Sequence, residues 1–242
     1  MWKYFKAIIK AGFQILFNYP RIVYYHKHMD KIPYEKRRKF GYYFYRLVTR
    51  AFNVKVNFDG REKVPEGPVV FVSNHQSFYD PMISEAIDKP IVYIAKKEIA
   101  KFPFAGHVST FLESIYIDCE NVREAVRVVK EAVKKIEEGK CVWVFPEGTR
   151  SKKADHTMNE FRPGALKIAY LAKATIVPCA FCGAWEIFSK KVHKKEYNIE
   201  FKFFDPISYD EYKQFSTTEL AVKLQNLIEP EVNRMLKNYI PA

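Results

Sequence analysis

The chain has 242 residues, 48% of them hydrophobic and 28% charged, and a formal net charge of +12. That balance supports a buried core and excludes a disordered chain, and four cysteines exclude a disulfide scaffold. The charge is uneven: residues 1–50 hold 12 Lys and Arg, 2 Asp and Glu, and 14 of the 39 aromatics. A nearly neutral body thus follows a basic, aromatic front, which leaves anionic membrane and nucleic acid as partner classes.

The front contains two predicted helices. The first covers 2–19, with Lys3, Lys6 and Lys10 at near-helical spacing and Trp2, Phe5, Ile8, Ile9, Phe13, Leu16 and Phe17 on the other faces. Pro20 limits it, because proline disfavours a helical residue before it. The second, from about Tyr34 to Phe52, sets Lys36, Arg37, Arg38 and Lys39 beside Phe40, Tyr42, Tyr43, Phe44 and Tyr45. The longest uncharged run, Ala11 to Pro20, is too short to span a bilayer, which takes about 20 apolar residues. A cleaved signal peptide also fits poorly, because charges interrupt the apolar stretch. The expectation is a membrane-association segment, residues 1–52, of two amphipathic helices lying in the interface. The alternatives are aromatics that pack on the body and a nucleic-acid surface. The second is the weaker, because bulky apolar residues interleave with the charge.

Residues 53–242 form the expected catalytic domain. Strands are predicted at 54–58, 67–74, 91–95, 114–118, 141–145, 175–181 and 197–204. Asn121 caps a helix whose Val122, Ala125, Val126, Val129, Val133 and Ile136 follow the 3.6-residue period, and Gly139 closes it. Further helices are predicted near 163–173 and from about 216 to 237. Alternating strands and helices indicate an α/β fold: a mainly parallel sheet with helices on both faces. In such sheets ligands collect beyond the carboxyl ends of the strands.

Two loops there carry polar residues that packing does not explain. In Asn74-His75-Gln76-Ser77-Phe78-Tyr79-Asp80 the aspartate lies five positions after the histidine. A turn can fold the carboxylate onto one ring nitrogen, leaving the other to take a proton from a substrate hydroxyl. The bland alternative is a turn histidine and an aspartate N-cap. In Phe145-Pro146-Glu147-Gly148-Thr149-Arg150-Ser151, Gly148 lets the backbone approach a ligand and Arg150 offers a fork suited to phosphate. Thr149 and Ser151 add hydroxyls, and Glu147 is expected to orient Arg150 or a substrate hydroxyl. A surface turn is the alternative.

NHQSFYD followed by FPEGTRS resembles the glycerolipid acyltransferase superfamily, whose hallmarks are NHxxxxD and FPEGTRS motifs, and within it the 1-acylglycerol-3-phosphate acyltransferases. Ala95 to Glu98, Phe102 to Gly106 and Ile115 to Asp118 are similar to its second motif region; Phe161 to Ala165 and Ile176 to Pro178 are similar to its later part. Pro146 and Thr149 match the lysophosphatidate type better than the glycerol-3-phosphate type. One departure is Cys119, where the family usually has the arginine to which a phosphate contact is assigned; Arg123, Lys96 or Lys97 are substitutes.

The resemblance implies transfer of a fatty acyl group from an acyl carrier protein or coenzyme A thioester to the sn-2 hydroxyl of 1-acylglycerol 3-phosphate. His75 and Asp80 would be catalytic. Asn74, Ser77, Lys96, Lys97, Glu147, Gly148, Thr149 and Arg150 would bind substrate. No metal or dissociable cofactor is implied. Partners would be an anionic phospholipid surface, lysophosphatidic acid and the thioester carrier, at the cytoplasmic face of a membrane. A sister reaction on glycerol 3-phosphate or another lysophospholipid, and a non-enzymatic membrane scaffold, are the competing functions. Cys179 and Cys182 have CxxC spacing, but strand alternation puts them on opposite faces, so buried free thiols are expected. His107, His156 and His193 have no evident partners, His26 and His28 belong to the basic front segment, and the run at 190–195 reads as a solvated loop.

Overall fold

The computed structural model describes residues 2–118, 121–189 and 192–239, with the backbone alone at 2–8 and 122. Fourteen regular elements follow one another among the described residues: α1 (Trp2–Lys27), α2 (Tyr34–Ala51), β1 (Val54–Asp59), β2 (Val70–Ser73), β3 (Ile91–Lys96), α3 (Ala105–Phe111), β4 (Ile115–Ile117), α4 (Val122–Glu137), β5 (Cys141–Val144), α5 (Lys167–Ala172), β6 (Ile176–Cys182), β7 (Tyr197–Phe203), α6 (Tyr209–Tyr212) and α7 (Thr217–Leu236). Short 3₁₀ turns join some of them, among them Asp80–Ala86.

The sequence places every strand, and α4 with its Asn121 cap, whose side chain accepts from the Arg123 N–H. It misjudges α1, which runs through Pro20. An internal proline removes one backbone bond and costs about 3 kcal/mol. Here Ile22 and Tyr25, beyond the proline, are buried against α2 and α3, and that packing carries the helix on. The sequence also passes over α3 and α6, which are too short to show a period.

The sheet order is β1-β7-β6-β2-β5-β3-β4. All pairs are parallel except β6 with β7. Alternation along β2 sends Val70 and Val72 to one face, packed with Val142, Val144 and the α5 and α7 residues Ile168, Leu224 and Ile228. Phe71 points to the other face with Trp143, Val177, Phe181 and Phe201, covered by Ile83 and Ile87. Cys182 lies in the first core and Cys179 in the second, so the CxxC pair straddles the sheet.

A third core joins α1, α2 and α3 through Ile22, Tyr25, Phe40, Phe44 and Phe111. The Arg37 guanidinium donates to the Phe111 carbonyl at 2.6 Å and pairs with Glu113 at 2.6 Å. Burial alone would raise the Glu113 carboxyl, but hydrogen bonds from Lys135, Lys140 and Arg37 outweigh it and bring the group down to about 2. α2 also grips the segment after the first polar loop. Thr49 Oγ1 meets Tyr79 OH at 2.6 Å, Arg46 pairs with Glu85 at 2.5 Å, and Tyr42 OH donates to the Lys89 carbonyl at 3.0 Å.

Candidate active site

β2 and β5 are parallel neighbours, with Val72 opposite Val144. Their carboxyl ends therefore lie side by side, and the two polar loops meet there.

Asp80 folds back onto the loop it closes. Its Oδ2 accepts from His75 Nδ1 at 2.6 Å and from the backbone N–H groups of Gln76 at 2.8 Å and Ser77 at 2.9 Å. The carboxylate is fully buried, while the His75 side chain keeps 20% exposure. Asp80 does not cap the 3₁₀ turn Asp80–Ala86; Tyr79 precedes that turn and no side chain caps it. The aspartate N-cap reading therefore gives way to an aspartate that fixes one face of the imidazole. Nδ1 carries the proton toward Asp80, and Nε2 is left as an acceptor.

The His75 ring stacks on Phe145, with centroids 4.2 Å apart and planes 18° from parallel. Its backbone N–H donates to Glu147 Oε1 at 2.7 Å, and its carbonyl accepts from the Ser151 N–H at 3.0 Å. The second loop thus holds the histidine by ring and backbone together. Glu147 does not orient Arg150. Its other oxygen accepts from the Asn159 N–H at 2.7 Å, so the carboxylate bridges two loops. Burial pushes that carboxyl up to about 7, against the pull of the two N–H groups.

Asn74 is also a tie. Its side-chain amide donates to the Phe181 carbonyl at 2.8 Å and accepts from the Phe181 N–H at 3.0 Å, which fastens the end of β2 to β6. Ser77 is buried, and its hydroxyl accepts from the Tyr79 N–H at 3.2 Å. Both hold the loop's shape, and neither lines an open surface.

The cations are placed differently. The Arg150 guanidinium lies 3.6 Å over the ring of Phe78, which is itself 54% exposed. Gly148 has φ +69, and a Cβ there would stand 3.3 Å from the Arg162 guanidinium. Arg162 thus reaches this loop as a second fork, alongside Thr149. Lys96 is exposed at the end of β3, the strand next to β5, and Lys97 pairs with Asp118. Cys119 lies outside the described residues, as do Lys190 and Lys191 of the basic run. Phe78, Phe145, Asn159 and the side chain of Arg162 escaped the sequence reading. Phe78 and Phe145 had a signal, since each sits within a motif, but an aromatic there gives no hint of which ring or cation it meets.

Among the described residues, no group of three or more His, Cys, Asp or Glu converges as a metal site. No described helix is long and apolar enough to cross a membrane. His156 stacks on Trp185 at 3.6 Å, and His26 lies 4.5 Å from His107, both away from the dyad in sequence.

Residues 55–182 match the Acyltransferase family model. A probable 1-acyl-sn-glycerol-3-phosphate acyltransferase of Mycoplasma pneumoniae is 31% identical over 206 residues, covering 79% of this chain and 76% of that one. The 1-acyl-sn-glycerol-3-phosphate acyltransferase of Escherichia coli is 27% identical over 202 residues, covering 82% of this chain and 80% of its own. The crystal structure of the 1-acyl-sn-glycerophosphate acyltransferase of Thermotoga maritima superposes with a TM-score of 0.75 at 22% identity, over 96% of this chain and 94% of that one, which shows the shared fold. With the family model spanning both polar loops and a relative of this identity covering most of the chain, the protein belongs to the Acyltransferase family, within the glycerolipid acyltransferase superfamily.

Proposed function

We propose that this protein transfers a fatty acyl group from an acyl thioester, carried by acyl carrier protein or coenzyme A, to the sn-2 hydroxyl of 1-acylglycerol 3-phosphate. The product is phosphatidic acid, a precursor of phospholipids. One observation carries the reading: a histidine fixed through Nδ1 by a buried aspartate, with Nε2 unengaged, at the joint carboxyl ends of β2 and β5. The names of the relatives supply the acceptor.

The dyad supports a balanced reaction. Nε2 of His75 takes the hydroxyl proton as the substrate oxygen bonds to the thioester carbonyl carbon. Asp80 stabilises the imidazolium. The carbon–sulfur bond then breaks, and the imidazolium returns its proton to the departing thiolate. This chemistry needs no dissociable cofactor. Arg150, with Thr149 and Lys96 nearby on the same edge, is assigned to the acceptor phosphate. Gly148 allows its approach, and Lys97, paired with Asp118, lies next to Lys96. Asn74, Ser77 and Glu147 act by holding the two loops in register.

The acceptor is a membrane lipid, and α1 offers a surface for meeting it. Ile9, Phe13, Leu16, Phe17, Pro20 and Tyr24 are all exposed. At 100° per residue they fall within a stripe about 100° wide, the width of an interfacial helix face. Ala11, Ile22 and Tyr25 point the opposite way, into the protein. We assign the stripe to the bilayer interface, on the cytoplasmic side where such thioesters are made. A labelled acyl thioester supplied with either lysophosphatidate or glycerol 3-phosphate, with products separated by thin-layer chromatography, tests the reading. Labelled phosphatidic acid from the first acceptor supports it. Product only from glycerol 3-phosphate would move the protein to the sister reaction, and no product from either would leave a scaffold.

A further inference from the structure

A cleft of about 600 Å³ opens between α1 and α2, away from the two polar loops in sequence. Its lining includes Asn18, Arg21 and Tyr25 of α1 and Lys36, Lys39 and Tyr43 of α2. Most arginines of the α2 face and of α4 are matched: Arg38 with Glu35 and Asp88, Arg46 with Glu85, Arg127 with Glu124 and Glu131. Among the described residues, Arg21, Lys36 and Lys39 pair with no carboxylate. Glu35, which also lines the cleft, is paired with Arg38, whose Nε and Nη2 both donate to one of its oxygens.

Arg21 is already held in place. Its guanidinium lies 4.5 Å over Phe40 and donates to Tyr25 OH at 3.3 Å. A planar fork held in this way loses little freedom on meeting an oxyanion. α2 also begins at this cleft, at Pro33, with no side-chain cap, so the positive end of an 18-residue helix faces the same space. The cleft adjoins the apolar stripe on α1: Arg21 sits one turn from Phe17, which is 87% exposed.

We infer that the cleft is a binding site for the phosphate headgroup of an anionic phospholipid, whose acyl chains run along the α1 stripe. A cationic pocket alone would take any phosphate, and an apolar stripe alone would take any lipid. Their adjacency on one helix fits a ligand that is both. The inference rests on the proposed contact between α1 and the bilayer. It adds a headgroup preference and the three side chains that read it.

Sedimentation with phosphatidylcholine vesicles, with and without phosphatidylglycerol, tests it. Compared with the wild type are the triple variant Arg21→Gln/Lys36→Gln/Lys39→Gln and a control triple outside the cleft, Lys10→Gln/Lys27→Gln/Lys31→Gln. The cleft triple is expected to lose about a hundredfold in partition onto the anionic vesicles, and the control about tenfold or less. The double variant Lys36→Gln/Lys39→Gln leaves the Arg21 stacking intact; it should still lose about tenfold or more, which keeps the test valid if the triple folds poorly. Equal losses from cleft and control triples would show diffuse attraction and overturn the site, while leaving the membrane reading in place. Failure of the wild type to bind either vesicle would overturn the membrane reading and the site with it. Dihexanoylphosphatidylglycerol below its micellar concentration should displace the protein where inorganic phosphate at the same concentration does not. Equal displacement by phosphate would contradict a lipid occupant.

Discussion

The carboxyl edge of the sheet and the outer face of α1 are built on opposite principles. At the edge, a few polar atoms hold several partners each, although Asp80 Oδ1 and Gln76 Oε1 are buried there without one among the described residues. Asp80 Oδ2 takes three donors, Glu147 bridges two backbone amides, and Asn74 is tied at both ends of its amide. On α1, large apolar side chains stand in the open, with none of the described residues over them. The first arrangement fixes a geometry, as a proton transfer requires. The second leaves an apolar surface uncovered, the kind of patch that marks a site of interaction. α2 lies between the two regions. It packs on α1 through Phe40 and Phe44 and grips the dyad loop's exit through Thr49 and Arg46.

The sharpest way to break this contrast is at the dyad. His75→Ala should lower the turnover of acyl transfer about a thousandfold, since it removes a positioned general base. Vesicle binding should be unchanged, and initial rates with saturating substrates alongside sedimentation would check both. A variant that kept near wild-type turnover would take the dyad out of the mechanism.

Glu147 gives the edge a pH signature of its own. Burial pushes its carboxyl up to about 7 in the folded protein, from an ordinary value of 4.5. The folded state therefore binds this proton more tightly. The resulting stability is fully present below pH 4.5 and is lost as pH rises through 7, by up to about 3 kcal/mol. Glu147→Gln has no such proton, so its denaturation free energy should lack that decline between pH 4.5 and 7 relative to the wild type. Parallel pH profiles would show that the bridge is not strained by charge.

The smallest effect expected is at Phe78. Replacing it with leucine removes the ring beneath Arg150 and should raise KM for the phosphate-bearing acceptor about two- to fivefold. KM for the thioester and kcat should stay put, and Phe78→Trp should restore the acceptor KM. A matching rise for the thioester would mean that Phe78 serves the donor.

Much of this was legible beforehand, for identifiable reasons. Strands and α4 declare themselves through period and turn residues. His75 and Asp80 stood out because their loop resembles a family motif; the five-residue spacing alone left a turn histidine and an aspartate cap open. What the sequence hid was long-range. Nothing local says that Glu147 turns to the amide of His75, 72 positions away, or that Asn74 binds Phe181, 107 positions away. The charge at Glu147 suggested a ligand contact, whereas burial made it a backbone partner. Pro20 misled for a similar reason: its local penalty was real, but the packing of Ile22 and Tyr25 outweighed it. The charge split marked a front segment, but it gave no sign that α2 would hold the segment after the dyad loop through Tyr42, Arg46 and Thr49.

The most direct test of the division between edge and helix compares one reaction in two settings. Phe13→Ser/Phe17→Ser and His75→Ala would each be assayed with lysophosphatidate in vesicles and with lysophosphatidate dispersed in detergent. The helix variant should lose most of its activity on vesicles and keep it in detergent, while the dyad variant should fail in both. Equal loss by the helix variant in both settings would contradict the account, because α1 would then be serving the chemistry itself.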